Sequence, residues 1–100
     1  MGEELKIAVT EHAGRRIVRV AGEIDLETSS SLRECLEPFD GIVIVDLAEV
    51  TFIDSSGLGV FISARKRLRT GSGDLRLRTP QDHARRVFEV TGLRDLLPDS

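Results

Sequence analysis

Hydrophobic positions alternate with polar ones over the first twenty residues, and after that the spacing becomes helical. In "LKIAVT", Leu5, Ile7 and Val9 fall on one face, and "RIVRVAG" follows with Ile17, Val18 and Val20. The intervening "EHAG" reads as a hairpin turn around Gly14, with His12 in the turn as a solvated side chain. "TSSSLRECLEPF" places apolar residues at 32, 35, 36 and 39, the spacing of a helix. Thr28 or Ser31 stands where a cap is needed, and Ser31 with Glu34 fits a capping box. Asp40-Gly41 ends that helix. Ile42 to Val45, in "IVIVDL", form a continuous apolar run that predicts a central strand covered on both faces.

A second helix follows "DSSGLG", with Leu58, Phe61, Ile62, Arg65 and Leu68 as its stripe and Gly71 to Gly73 as its end. "DLRLR" alternates Leu75 and Leu77 with arginines and predicts a half-buried strand near a sheet edge. Thr79-Pro80 has the form of a cap followed by a first helical proline. Ala84, Val87, Phe88 and Thr91 are then the buried face of a third helix, with His83 on its surface and Gly92 at its end. The order is β-β-α-β-α-β-α. Strand–helix–strand units favour parallel pairing with right-handed crossovers, and the opening hairpin adds an antiparallel pair. The expected fold is α/β: a small mixed sheet of about four strands with three or four helices, in one domain spanning residues 1–100.

Composition narrows the function classes. No apolar run approaches the roughly 18 residues of a membrane span, and the N-terminus is acidic and alternating rather than signal-like. A cytoplasmic protein is expected. Cys35 is the only cysteine, which excludes an internal disulfide or a cysteine metal cluster, and its place on a helix core face predicts packing. The net charge of −3 is unevenly spread. Residues 1–64 carry twelve acidic and five basic side chains, and residues 65–100 carry five acidic and nine basic. The basic run "RKRLR", Arg65 to Arg69, ends a helix, where positive charge complements the dipole. With no Tyr or Trp to stack on bases, nucleic acid is not an expected partner.

The candidate chemistry lies in Asp54-Ser55-Ser56-Gly57-Leu58-Gly59, between a strand and a helix. A glycine inside a helix costs about 1 kcal/mol relative to alanine, so two of them at one helix start call for a reason. One reading is structural: Asp54 or Ser55 caps the helix, and the glycines let strand and helix pack closely. The other is functional. A helix N-terminus offers free N–H groups and a partial positive charge to a phosphate, or a serine there carries the phosphate itself. Catalysis is disfavoured. A serine nucleophile needs a base within reach, and His12 and His83, the two histidines, lie outside this loop. Neither the nucleophile-elbow nor the phosphate-loop pattern is present. No cofactor is expected.

"GEIDLETSSSLRE", "IVIVDLAEVTFIDSSGLGVFISARKRLR" and "LRLRTPQDHARRVFEVTGLRDLLP" together resemble the STAS domain of bacterial anti-sigma-factor antagonists, from about Val9 to Pro98. The resemblance implies a non-enzymatic, cytoplasmic partner switch. The unphosphorylated antagonist binds an anti-sigma factor that is also an ATP-dependent serine kinase, and binding frees the sigma factor. Phosphorylation of the serine before the glycine, Ser56 here, with Ser55 as second candidate, breaks the complex. A serine phosphatase resets it. Asp25 in the GEID segment and Asp54 map to the family's functional aspartates and are expected to hold or orient the serine hydroxyl. Ser55, Gly57, Leu58 and Gly59 complete the phosphosite and partner-binding surface. The implied protein is a monomer that forms hetero-complexes, with no membrane partner. Family members continue past the "LLP" segment with a final helix, whereas here Asp99 and Ser100 follow Pro98. The main alternative is a STAS assembly subunit of a membrane lipid or anion transporter; a stressosome scaffold domain is a third.

Overall fold

A computed structural model describes residues 5–97. Strands β1 (Lys6–His12) and β2 (Arg15–Ile24) precede helix α1 (Ser29–Leu36). Then come strand β3 (Ile42–Ile53), helix α2 (Ser55–Thr70), strand β4 (Asp74–Arg78) and helix α3 (Asp82–Val90), with a short 3-10 turn at Arg94–Leu96. The sheet order is β1-β2-β3-β4. β1 and β2 are antiparallel; β2, β3 and β4 run parallel. This is the mixed α/β order expected from the sequence.

Ala13 and Gly14 both take positive φ, 53° and 78°, which gives the two-residue hairpin turn whose twist suits its strands. His12 therefore closes β1 opposite Arg15 and is not in the turn itself, though it is exposed. β3 extends from the expected run Ile42 to Val45 on to Ile53, and it is central. Its Val43, Val45 and Leu47 are buried, whereas Ile42, Ile44 and Asp46 on the other face are only half-buried. The second face is thus not fully covered, contrary to expectation. Leu75 and Leu77 are buried on edge strand β4.

Helix α1 buries Leu32 and Leu36, with Cys35 and Phe39 packed beside the core. Ser31 lies inside the helix, so no capping box forms. Thr28 holds the cap position without a side-chain cap bond, because its hydroxyl is engaged in the preceding turn. In α2 the buried arc centres on Gly57, Phe61, Ala64 and Leu68. Ile62 falls beyond the edge of that arc and is 38% exposed. Ala64 and Gly57, too small to weigh in the apolar count, set where the arc lies.

The third helix starts later than Thr79-Pro80. Gln81 is its N-cap. Thr79 instead takes φ 53° and donates its hydroxyl to Asp46 Oδ1 at 2.6 Å, a tertiary partner that no local pattern announces. Ala84 and Phe88 are buried and Val87 half-buried, but Thr91 is exposed and donates to the Val87 carbonyl. His83 is exposed and stacks on Phe52, with ring centroids 5.6 Å apart.

The basic run is used internally. Arg65 pairs with Asp74 and Asp95, and Arg69 with Asp74. Arg67 donates both terminal nitrogens, at 2.8 Å each, to the carbonyls of Phe39 and Leu36 at the end of α1. No helix among the described residues is long and apolar enough to cross a membrane.

Candidate functional site

The parallel strands β2 and β3 end side by side, with Ile24 opposite Ile53. The Asp54 N–H donates to the Ile24 carbonyl at 3.1 Å. Neighbouring strands lie about 4.8 Å apart, so Asp25 and Asp54, each one residue further on, leave the sheet together. The next residues of β3's chain enter α2 at once.

Asp54 is extended (φ −114°, ψ −172°) and is the helix N-cap. Its Oδ1 accepts the N–H groups of Ser56 at 2.8 Å and Gly57 at 3.3 Å. Its carbonyl accepts from Leu58 N–H. The structural cap is therefore real, and it has a consequence for chemistry. Two of the donors that a phosphate would seek at this helix end already bond a carboxylate of the chain itself.

The two glycines differ. A Cβ on Gly57 would stand 2.6 Å from Ile24 Cγ2 and 2.9 Å from Ile53 Cγ1. Both isoleucines are buried, so Gly57 is the point where α2 closes onto the strand ends. A Cβ on Gly59 would meet nothing within 4 Å. Leu58 is buried, Ser55 exposed and Ser56 half-buried.

Asp25 organises the opposite lip. Its Oδ1 accepts the N–H groups of Glu27 and Thr28, both at 3.0 Å, and the Thr28 hydroxyl at 3.2 Å. The Asp25 N–H donates to Thr28 Oγ1 at 2.9 Å. The Asp25 carbonyl accepts Ser29 N–H at 2.8 Å. So Asp25, Asp54 and Ser56 are brought to one end of the sheet, yet among the described residues neither aspartate bonds the Ser56 hydroxyl. Each anchors backbone instead. Thr28 was missed as a site residue; the Asp-x-x-Thr spacing was the available signal, since such aspartates bond the backbone two and three residues on. The two chain segments that meet here, Gly22–Leu32 and Val50–Ala64, contain Glu23, Asp25, Glu27 and Asp54 and no Lys, Arg or His. The site is acidic.

A family model described as STAS domain matches residues 6–99. The anti-sigma-B factor antagonist of Listeria monocytogenes is 43% identical over 98 residues, which cover 94% of this chain and 83% of that protein. The chain belongs to the STAS-domain family of anti-sigma-factor antagonists. This STAS domain also shares its fold with SpoIIAA, an anti-sigma factor antagonist and Bacillus cell fate determinant, at 21% identity. The TM-score is 0.81 to its unphosphorylated form, covering 92% of this chain and 85% of that one. To its phosphorylated form the TM-score is 0.73, covering 92% and 88%. In this STAS domain the DSSGLG segment is the β3–α2 junction itself, and the GEID segment is the end of β2 beside it.

Proposed function

We propose that this STAS domain is an anti-sigma-factor antagonist switched by phosphorylation of Ser56. Unphosphorylated, it binds an anti-sigma serine kinase in the cytoplasm and so frees a sigma factor. The kinase passes the γ-phosphoryl group of ATP to Ser56 Oγ. The new P–O bond forms as the bond to ADP breaks, and the hydroxyl proton goes to the kinase's own carboxylate base. A serine phosphatase returns the hydroxyl by hydrolysis. The chain itself performs no catalysis.

One observation carries this reading. Ser56 lies half-exposed at the tip of a junction whose backbone is held by Asp54, while its hydroxyl is outside that network. Among the described residues, the hydroxyl can be modified without removing a bond that holds the fold. The modified state differs mainly in charge. A phosphoserine adds about −1.5 to −2 charges at neutral pH, next to Asp54 and Asp25, and Arg67 is committed to the end of α1. If docking brings the kinase's own carboxylate base within about 6 Å of Ser56, each added charge costs roughly 3 kcal/mol at an effective dielectric near 20. That is about a hundredfold in affinity.

Incubation with a purified anti-sigma kinase and Mg-ATP tests the proposal, read by intact mass and by binding. One phosphate is expected on wild type and on Ser55→Ala, and none on Ser56→Ala. Ser56→Ala should bind the kinase and resist release by ATP, and Ser56→Asp should stay folded and bind at least about a hundredfold more weakly. Equal affinity of the two Ser56 variants would sink the switch. Capture of a transporter permease or ATPase by both would instead mark an assembly subunit.

A further inference from the structure

The turn between β2 and α1 is held by more hydrogen bonds than a connection needs. The single proton of the Thr28 hydroxyl is shared between Asp25 Oδ1 at 3.2 Å and the nearer Glu23 carbonyl at 2.8 Å. The buried Ser29 hydroxyl donates to the Leu26 carbonyl at 3.3 Å. This fixed turn holds Leu26 outward, 77% exposed. The core does not use it.

We infer that Leu26 is the apolar anchor by which the anti-sigma partner docks, and that Asp25 is the positioning residue that holds it in place. The inference rests on the function proposed above and names the contact that function needs. Leu26 follows Asp25 directly, at the strand ends where Ser56 also lies, so a partner gripping it faces the serine. A side chain carried on a turn that is already held docks at a lower ordering cost than one on a mobile loop. The occupant is a protein face with an apolar socket rimmed by Lys or Arg, because the two segments that meet at these strand ends, Gly22–Leu32 and Val50–Ala64, carry Glu23, Asp25, Glu27 and Asp54 and no base. A second copy of the chain fits poorly, since a two-fold contact would set these acids against themselves.

Titration calorimetry against the purified anti-sigma-B factor of Listeria monocytogenes tests this, with urea unfolding of each variant alongside. Leu26→Ala should weaken binding about ten- to a hundredfold at an unchanged unfolding midpoint, and Leu26→Met should stay within a few-fold of wild type. Asp25→Asn keeps an oxygen that accepts the Glu27 and Thr28 N–H groups and gives up one of four acidic charges, so it should lose clearly less affinity than Asp25→Ala, which should fall as Leu26→Ala does. Wild-type affinity in Leu26→Ala overturns the anchor and leaves the antagonist function standing. Equal loss in Asp25→Asn and Asp25→Ala means that charge, not positioning, is the role of Asp25, and overturns that half. A wild-type chain that binds neither this factor nor the anti-sigma kinase of its own organism overturns both function and anchor. Self-association abolished by Leu26→Ala assigns the surface to a second copy and overturns the partner.

Discussion

Gly57 and Gly59, two residues apart on one helix, predict opposite outcomes for the same substitution. At Gly57 a methyl group enters space held by buried Ile24 and Ile53. Overpacking of this kind costs about 1–3 kcal/mol, so Gly57→Ala should lower the urea midpoint. At Gly59 there is open space, and alanine removes the backbone-entropy penalty of glycine. Gly59→Ala should therefore stabilise the domain by up to about 1 kcal/mol. A drop in midpoint for both would show that the helix start, not the contact with β2 and β3, governs this position. The sequence pointed to the two glycines as a pair; only three-dimensional contact separates them. Asp54 was legible as a cap because a cap acts within three residues. The true partners of Asp25 were less so: the motif suggested the serine, whereas the carboxylate bonds its own turn.

At the level of elements, boundaries moved wherever a long-range partner outbid a local signal. Thr79 carries a capping pattern but is claimed by Asp46, and α3 starts later in consequence. Arg67 looked like a charge on a helix end and is in fact the cap of a different helix. Arg67→Ala removes two charged hydrogen bonds to the final carbonyls of α1. Since the side chain is exposed, a loss of about 1–2 kcal/mol is expected, and Arg67→Lys should not restore it, having no second donor in a fixed fork. Hydrogen exchange localised to α1 is the measurement; uniform exchange across the domain counts against the clamp. Asp46 and Asp74 tie other elements together. Burial by itself would raise both carboxyls. For Asp46, the Thr79 hydroxyl, the Ala48 N–H and Arg78 outweigh it; for Asp74, Arg69, the Leu75 N–H and Arg65 do so, and both groups end below the ordinary carboxylate value. A depressed folded-state value gives stability that is present above the unfolded value of about 3.9 and is lost as pH falls through the folded one. The urea midpoint should therefore drop below about pH 4, and the drop should be shallower in Asp46→Asn/Asp74→Asn. An unchanged acid limb in that double variant would exclude these two groups as its source.

For the whole molecule, order and pairing were readable because periodicity of two and of 3.6 is written into the chain, and because right-handed crossovers leave few ways to join β2, β3 and β4. Coverage of the sheet was not readable: a continuous apolar run predicts burial on both faces of β3, yet Ile42 and Ile44 remain half-buried. The uneven charge along the sequence was visible as well, but not its use. In the basic C-terminal part, Arg65, Arg67 and Arg69 bond groups within the domain, while Glu23 and Glu27 at the strand ends face solvent. The carboxylate seated at the start of α2 gives this arrangement a further property. A free phosphate ion would have to displace the Asp54 carboxylate from the Ser56 and Gly57 N–H groups before it could sit there. On the function proposed above, phosphate comes to this end of the sheet as a covalent group on Ser56, and it stays until a phosphatase removes it.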